Sequence, residues 1–573
     1  MERIFLARPF KTRNADEYDL NTLLNIFVNP LTGLSTPFDF ENSIIKGRMG
    51  SGKTMYLRAN QAFYLSSLLP ALVEGNDEII LPIMIKLNDF QHILEPDEIY
   101  KQVIIKIVEE LISIHLHLEG VKNLASIHGN LKLIPQNLIA KHRNADMMLK
   151  LAALSSEEYL QKVSTDKQGK GGMKLSFIEA SAEWKKNRYQ EFKSKPNPGI
   201  KDIEECYKHL LKDTDGKILL LIDEAGALDK GFFRNEKNQT GLFEVLMNQF
   251  RTASFIRTKV AVYPHSYSDM LTETRYGDVV MLENNIMEEA DYKRLRNKSI
   301  EIINNYINPK NDESLPFRAE DVFEINSMGI YGDALELILY ASHGNMRRLI
   351  HILDMCMDSA FNENDYAKTV EKKNVIEALK KHANNNEGTL TKQERDFLDD
   401  LVKVCKSRSA YKFSFPNVPL YKYTSKSKEY NIINVDEPGS GRKATVYSFD
   451  FSFCVLKEIP THRMNDDERV YKERSGDFGR WSSRKAIMSQ QLIKQVSLPG
   501  KIEGVITYVD SKHLNGFIET NPGSDAENKE FFFQREEIIE DDKNKDLLKG
   551  TRVRFYPVEL SEDDMTAYMI EVL

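Results

Sequence analysis

Between residues 42 and 60 the chain reads NSIIKGRMGSGKTMYLRAN, a glycine-rich loop set between an apolar pair and a run with helical spacing. The loop satisfies Gly-x-x-x-x-Gly-Lys-Ser/Thr through Gly47, Gly52, Lys53 and Thr54, with Gly50 and Ser51 inside it. Such a loop requires a strand before it and a helix after it. Ile44 and Ile45 can end the strand, and MYLRANQAFYLSSLL supplies the helix. In that setting backbone N–H groups converge on phosphate oxygens at a helix N-terminus, where the helix dipole favours negative charge. Lys53 then reaches the outer phosphates and Thr54 offers a hydroxyl to Mg²⁺. The chain is therefore expected to contain an α/β layer built on a parallel sheet.

The second half of such a site is a buried strand ending in an acid, and GKILLLIDEAGAL provides it. Ile218 to Ile222 form an unbroken apolar run suited to a central parallel strand, with Asp223 and Glu224 at its C-terminal end. Asp223 is placed to hold Mg²⁺ through water, and Glu224 to orient or deprotonate an attacking water. Both motifs together predict ATP and Mg²⁺ as cofactors and ATP hydrolysis as the chemistry.

In these two motifs the chain resembles the AAA+ superfamily, whose Walker A and Walker B elements have this form. YASHGNMRRLIHILDMC is similar to the sensor 2 helix of the replication-initiator clade, the origin-recognition and archaeal initiator ATPases. The resemblance places Gly344 and Arg347 at the lid over the γ-phosphate, with Arg348 as the alternative. TKVAVYPHSYSDMLTETRYGDVVML resembles the sensor 1 strand and the segment carrying the arginine finger. Sensor 1 falls on His265 or Ser266, where the family normally has Asn, and Arg275 matches the finger offered to a neighbouring subunit, which implies a homo-oligomer. The plainer alternative is that Arg347 and Arg348 are surface charges and that Arg275 pairs with Asp269, Glu273 or Asp278. The stretch between the Walker motifs exceeds a minimal core by roughly 100 residues, read as a helical insertion near 118–215.

The formal net charge of −8 conceals a division: Leu401 to Gly500 carries 18 Lys and Arg against 10 Asp and Glu, and Lys501 to Leu573 carries 9 against 17. In the basic part the helix LTKQERDFLDDLVKVCK, with Thr391 as N-cap, precedes two alternating runs, YNIINV and TVYSFDFSF, around the turn DEPGSGRK. Helices followed by a basic-tipped hairpin predict a winged helix, which the initiator clade also places after its lid. Lys422, Lys426 and Lys428 on a helix near 419–429 are expected to face a DNA groove, and Arg442 and Lys443 on the wing to face phosphates. A winged helix used for protein contact is the alternative. Arg480, Trp481, Arg484 and Lys485 form a further basic stretch, open between linker and nucleic-acid contact.

The acidic tail resembles the cold-shock domain, a small OB barrel, through GVITYV, Gly516-Phe517-Ile518, FFFQ and the closing Lys549, Gly550, Val553 and Phe555. Carried over from the family, the base-stacking face is Tyr508, Phe517 and Phe532, with Gln534 replacing the usual His. Strand alternation sends Phe531 and Phe533 inward.

The expected order is thus an AAA+ P-loop core over 1–290, a helical lid with sensor 2 over 291–385, a winged helix over 386–465, a basic linker over 466–500 and an all-β cold-shock-like barrel over 501–573. The N-terminus has no apolar signal-peptide core and no long apolar stretch follows, so a cytoplasmic protein without membrane contact is expected. Cys206, Cys356, Cys405 and Cys454 lie too far apart for a zinc site or a disulfide framework, and are read as buried small apolar residues. The functional expectation is an initiator-type ATPase in which ATP and oligomerisation control engagement of double-stranded DNA and of single-stranded DNA or RNA. The alternatives are a non-catalytic nucleotide switch or sensor in antiviral defence acting through a separate effector protein, and a protein-interaction scaffold.

Overall fold

A computed structural model describes residues 1–31, 35–74, 80–93, 96–116, 150–152, 154–156, 199–205, 217–223, 247, 250, 253–263, 278–282, 286, 289–308, 317–326, 332–364, 366–415, 420, 431–437, 445–461, 485–487, 501–510, 515–520, 529–533, 538–539, 542, 547–561 and 564–573. Two short helices, α1 (Glu2–Ala7) and α2 (Leu20–Ile26), precede the nucleotide-type core. The core alternates β1 (Ser43–Lys46), α3 (Lys53–Glu74), β2 (Ile80–Lys86), α4 (Pro96–Leu116), β3 (Lys217–Asp223), β4 (Ile256–Val262) and β5 (Asp278–Met281). The five strands pair in parallel in the order β2-β3-β4-β1-β5, so β4 separates the P-loop strand from the acid-bearing strand.

The continuous apolar run of β3 serves two faces. Ile218, Leu220 and Ile222 join α4 residues such as Ile104, Ile107 and Leu111, whereas Leu219 and Leu221 join Tyr56 and Leu57 of α3. A strand buried on both sides needs no polar alternation, which is why its sequence shows none. Lys259 of β4 is a fully buried charge within this sheet, paired with Asp39, and burial lowers its pKa despite that partner.

A helical layer follows, made of α5 (Glu289–Ile307), α6 (Ala319–Val322), α7 (Ala334–Ser342), α8 (Met346–Asn364) and α9 (Lys372–Gly388). Its core includes Ile4, Phe5 and Phe10 from the N-terminus. The first residues therefore pack with this helical layer rather than with the sheet. Arg8 fixes this arrangement with a bidentate bond to Asp354 of α8, 3.2 and 2.7 Å. The α9 helix also runs through the Asn-rich stretch Asn384 to Asn386 and ends at Gly388.

Beyond the lid, α10 (Lys392–Ser407) begins at Thr391 with a capping box closed by Glu394. A sheet of order β7-β8-β6-β9 packs with it, formed by β6 (Lys412–Phe415), β7 (Ile433–Glu437), β8 (Thr445–Phe449) and β9 (Lys485–Ile487). Two expectations are corrected here. The run read as one strand through Phe453 stops at Phe449, because Asp450 accepts from Ser452 N at 3.0 Å and starts the helix α11 (Phe451–Lys457). Part of the expected linker, β9, pairs in parallel with β6 and belongs to this module. Of the segment 419–429 only Leu420 is described; Lys422, Lys426 and Lys428, and the wing cations Arg442 and Lys443, lie outside the described residues.

The tail forms a closed barrel of order β10-β11-β12-β14-β13, from β10 (Ile502–Val509), β11 (Gly516–Glu519), β12 (Glu530–Phe533), β13 (Arg552–Ser561) and β14 (Asp564–Val572). Phe531 and Phe533 are 1% and 0% exposed and sit in its core with Phe555 and Ile570. Tyr556 and Met569 on the β13–β14 side pack against the core of the preceding module. Among the described residues no helix is long and apolar enough to cross a membrane, and no cluster of His, Cys, Asp and Glu could hold a metal ion. Cys356, Cys405 and Cys454 are buried free thiols; Cys206 lies outside the described residues.

Candidate nucleotide site

The loop of residues 47–54 leaves β1 and enters α3 with Gly50 at φ +81° and Gly52 at φ +99°. A side chain at such angles costs about 1–2 kcal/mol. A Cβ on Gly50 would also fall 2.5 Å from Asn345 Oδ1, so the glycine serves a close approach as well as a turn. Lys53 is 7% exposed and donates from Nζ to the carbonyls of Gly47 (2.7 Å) and Arg48 (2.9 Å). Its Nζ also lies 4.1 Å from the ring centroid of Tyr263, the residue that follows β4. The ammonium is thereby held inside the loop by the carbonyls that frame it.

The first turn of α8 closes over this loop. Asn345 caps the helix by accepting from Arg348 N at 3.0 Å and donates from Nδ2 to Met49 O at 2.6 Å. Arg347 N donates to Gly50 O at 3.0 Å. The positive end of a 19-residue helix therefore rests against the P-loop, where an anion is favoured.

These elements enclose a cavity of about 200 Å³. The P-loop from Met49 to Thr54 meets Asp223, Tyr263 and Arg347 in its lining; Lys298, Ile302 and Tyr306 of α5 and Ile26, Phe27, Val28 and Pro30 of the N-terminal segment supply a largely apolar remainder. Arg13 lines it too. Lys298 donates to Leu31 O at 2.9 Å, and burial first, then Arg294, lowers its pKa. A polar, cationic region joined to an apolar one suits a phosphate chain attached to a flat base. The Thr54 hydroxyl and the buried Asp223 carboxylate in the same lining are hard oxygen donors of the kind Mg²⁺ takes.

Of the residues expected from sequence, Gly50, Ser51, Gly52, Lys53, Thr54, Asp223 and Arg347 meet in this cavity, and Gly47 begins the loop beside it. Arg348, the alternative lid arginine, does not line it: the residue is 3% exposed and its guanidinium is paired with Asp450 of the next module. Glu224, His265, Ser266 and Arg275 lie outside the described residues. Sequence reasoning missed Asn345, Tyr263, Arg13 and Lys298. Asn345 left a signal, since an Asn before an apolar helical run is a cap; the other three reach the cavity only through tertiary contact.

On the barrel, the ring of Phe517 lies 6.3 Å from that of Tyr508 and 5.6 Å from that of Phe532. The register places Phe517 directly opposite both, and Tyr508 is 55% exposed. Gln534 lies outside the described residues.

No protein-family model and no curated protein matches the chain. Among solved structures it is similar to Cdc6p from Pyrobaculum aerophilum, at 12% identity over 73% of this chain and 87% of that one, with a TM-score of 0.25. It is also similar to the ORC2 protein of Aeropyrum pernix, solved in ADPNP and ADP complexes, at 13% identity over 69% of this chain and 71% of that one, with a TM-score of 0.25.

Proposed function

We propose that the chain is an ATPase of AAA+ initiator type whose nucleotide state controls engagement of nucleic acid. The observation that carries this reading is the convergence of Lys53, Thr54, Asp223 and Arg347, from three separated stretches of sequence, on one cavity. In it Lys53 exchanges its loop carbonyls for phosphate oxygens, and Arg347 faces the terminal phosphate. Thr54 and Asp223 would hold Mg²⁺, which would supply positive charge to offset that of the outer phosphates. Glu224, the residue after Asp223, orients the attacking water, and Arg275 completes the site of a neighbouring copy in a homo-oligomer.

The module containing α10, α11 and the β7-β8-β6-β9 sheet is assigned as a winged helix on double-stranded DNA, with Lys422, Lys426, Lys428, Arg442 and Lys443 as contacts. The barrel is assigned as a cold-shock-like OB domain whose Tyr508, Phe517 and Phe532 stack on single-stranded DNA or RNA. Its docking through Tyr556 and Met569 leaves that aromatic row available, which supports the assignment.

A second reading is a nucleotide-gated switch in antiviral defence that signals to a separate effector protein, in which His265 or Ser266, standing where the resembled family has Asn at sensor 1, leaves nucleotide held with little turnover. Steady-state ATP hydrolysis with and without duplex DNA, single-stranded DNA and RNA separates the two. The ATPase reading expects turnover abolished by Lys53→Ala and by Glu224→Gln, with nucleotide binding lost only in the former. Binding without turnover in the wild type would leave the switch.

A further inference from the structure

The two adjacent arginines that open α8 point to different parts of the molecule. Successive helical residues are turned by about 100°, so Arg347 faces the P-loop while Arg348 faces away from it. The Arg348 side chain reaches Asp450, and both partners are nearly dry, with side-chain exposures of 4% and 7%. Asp450 is held at several atoms: Oδ2 takes Arg348, Oδ1 accepts from Ser452 N at 3.0 Å to cap α11, its own N–H donates to Ile432 O at 2.8 Å and its carbonyl accepts from Cys454 N at 2.8 Å. The capped helix is seated in the lid along its length. Phe451 lies 6.0 Å from the ring of Tyr340, Val455 enters the lid core, and Lys457 bridges Glu387 (2.6 Å) and Asp399 (3.0 Å). The far module is thereby fixed to the helix turn that carries Asn345 and Arg347 onto the P-loop.

Resting on the nucleotide reading above, we infer that Asp450 is a positioning residue of the nucleotide site: through Arg348 it sets the first turn of α8, and so decides whether Arg347 meets the terminal phosphate of a nucleoside triphosphate. A diphosphate has nothing for Arg347 to meet, so the inference concerns discrimination between the two nucleotides and not affinity in general. Coupling of this kind is reciprocal in binding free energy: whatever displaces α11 alters triphosphate affinity, and triphosphate binding biases the module by the same factor.

The test uses the full chain and calorimetric titration with ADP and with the slowly hydrolysed ATPγS in Mg²⁺ buffer. Wild type is expected to prefer ATPγS. Asp450→Asn, whose side-chain oxygen can still cap α11, is expected to reduce that preference at least about fivefold while ADP affinity stays within about twofold. Arg347→Ala should give the same loss, and the two together no more than either alone. Arg348→Lys, which keeps a cation opposite Asp450, should retain more of the preference than Arg348→Met. If Asp450→Asn does not fold because Arg348 loses its buried carboxylate partner, the double variant Arg348→Met with Asp450→Asn removes both charges and is measured instead. An unchanged preference in either folded variant, or equal loss of ADP and ATPγS, overturns the inference, as does a wild type that binds both nucleotides equally. Absence of nucleotide binding in the wild type, or binding indifferent to Lys53→Ala, instead overturns the nucleotide reading on which it rests.

Discussion

Three consecutive phenylalanines in the barrel offer a sharp contrast between neighbours. Phe531 and Phe533 point inward, and the ring of Phe531 packs 5.2 Å from Phe555 at 60°. Truncating such a side chain to Ala costs about 3–5 kcal/mol, the sum of lost burial and the cavity left behind. The 73 residues from Lys501 to Leu573, at about 0.05–0.15 kcal/mol each, hold only about 4–11 kcal/mol, so Phe531→Ala or Phe533→Ala removes a large fraction of it. Phe532 sits on the other face, where a cross-strand pair such as that with Phe517 contributes about 0.2–1 kcal/mol. If it stacks on a base, Phe532→Ala instead weakens single-strand binding by about 1–3 kcal/mol, or about 5- to 150-fold. Hydrogen exchange of the full chain, read over the barrel amides, measures the first effect. Anisotropy of labelled oligo-dT and oligo-U measures the second. Equal loss of protection in all three variants would refute the inward and outward division, and unchanged binding by a folded Phe532→Ala would refute the stacking role.

Other perturbations test the lid and its contacts. Gly50→Ala introduces a Cβ 2.5 Å from Asn345 Oδ1 at a φ of +81°, so it should open the contact between α8 and the P-loop and lower the melting temperature; an unchanged melting temperature would contradict that contact. Asp333 is fully buried, caps α7 through Glu336 N at 2.8 Å, and pairs with Arg296, so Asp333→Ala should destabilise the lid by about 3–5 kcal/mol in urea titrations by removing that arginine's buried carboxylate partner. Burial, aided by the nearby Arg348 charge, pushes the His382 pKa down to about 4. The unfolded imidazole titrates near 6.5, so its contribution is present above that value and is lost as pH falls toward 4, with a slope of up to about 1.4 kcal/mol per pH unit. The urea midpoint should accordingly fall between pH 7 and pH 5, and less so in His382→Gln; identical pH profiles would remove His382 as a cause.

How far the sequence disclosed this architecture depended on whether an element satisfied its needs locally. The P-loop and β3 were readable because a phosphate-type turn requires glycines in order, and a strand buried on both faces requires an unbroken apolar run. Thr391 was readable because a capping box lies within four residues. The stretch through Phe453 misled because FDFSF alternates like a strand; what decided otherwise was Asp450, whose carboxylate is claimed by both the α11 cap and Arg348 more than 100 residues away. The β9 strand escaped because three residues joining an existing sheet carry no periodicity, and the contributions of Arg13 and Lys298 to the cavity depend on how the lid folds back over the core.

Phe10 is fully buried, with its ring centroid 5.6 Å from Tyr306 and 6.1 Å from Phe323. At ribosomal speeds of about 5–20 residues per second, those partners emerge roughly 15–60 s after Phe10 does. The sheet core, whose strands end at Met281, can be synthesised in full before either of those rings exists. The apolar ring of Phe10 therefore waits through most of the synthesis of the core, and reaches its dry, fully packed state only when the helices that follow the sheet close on it.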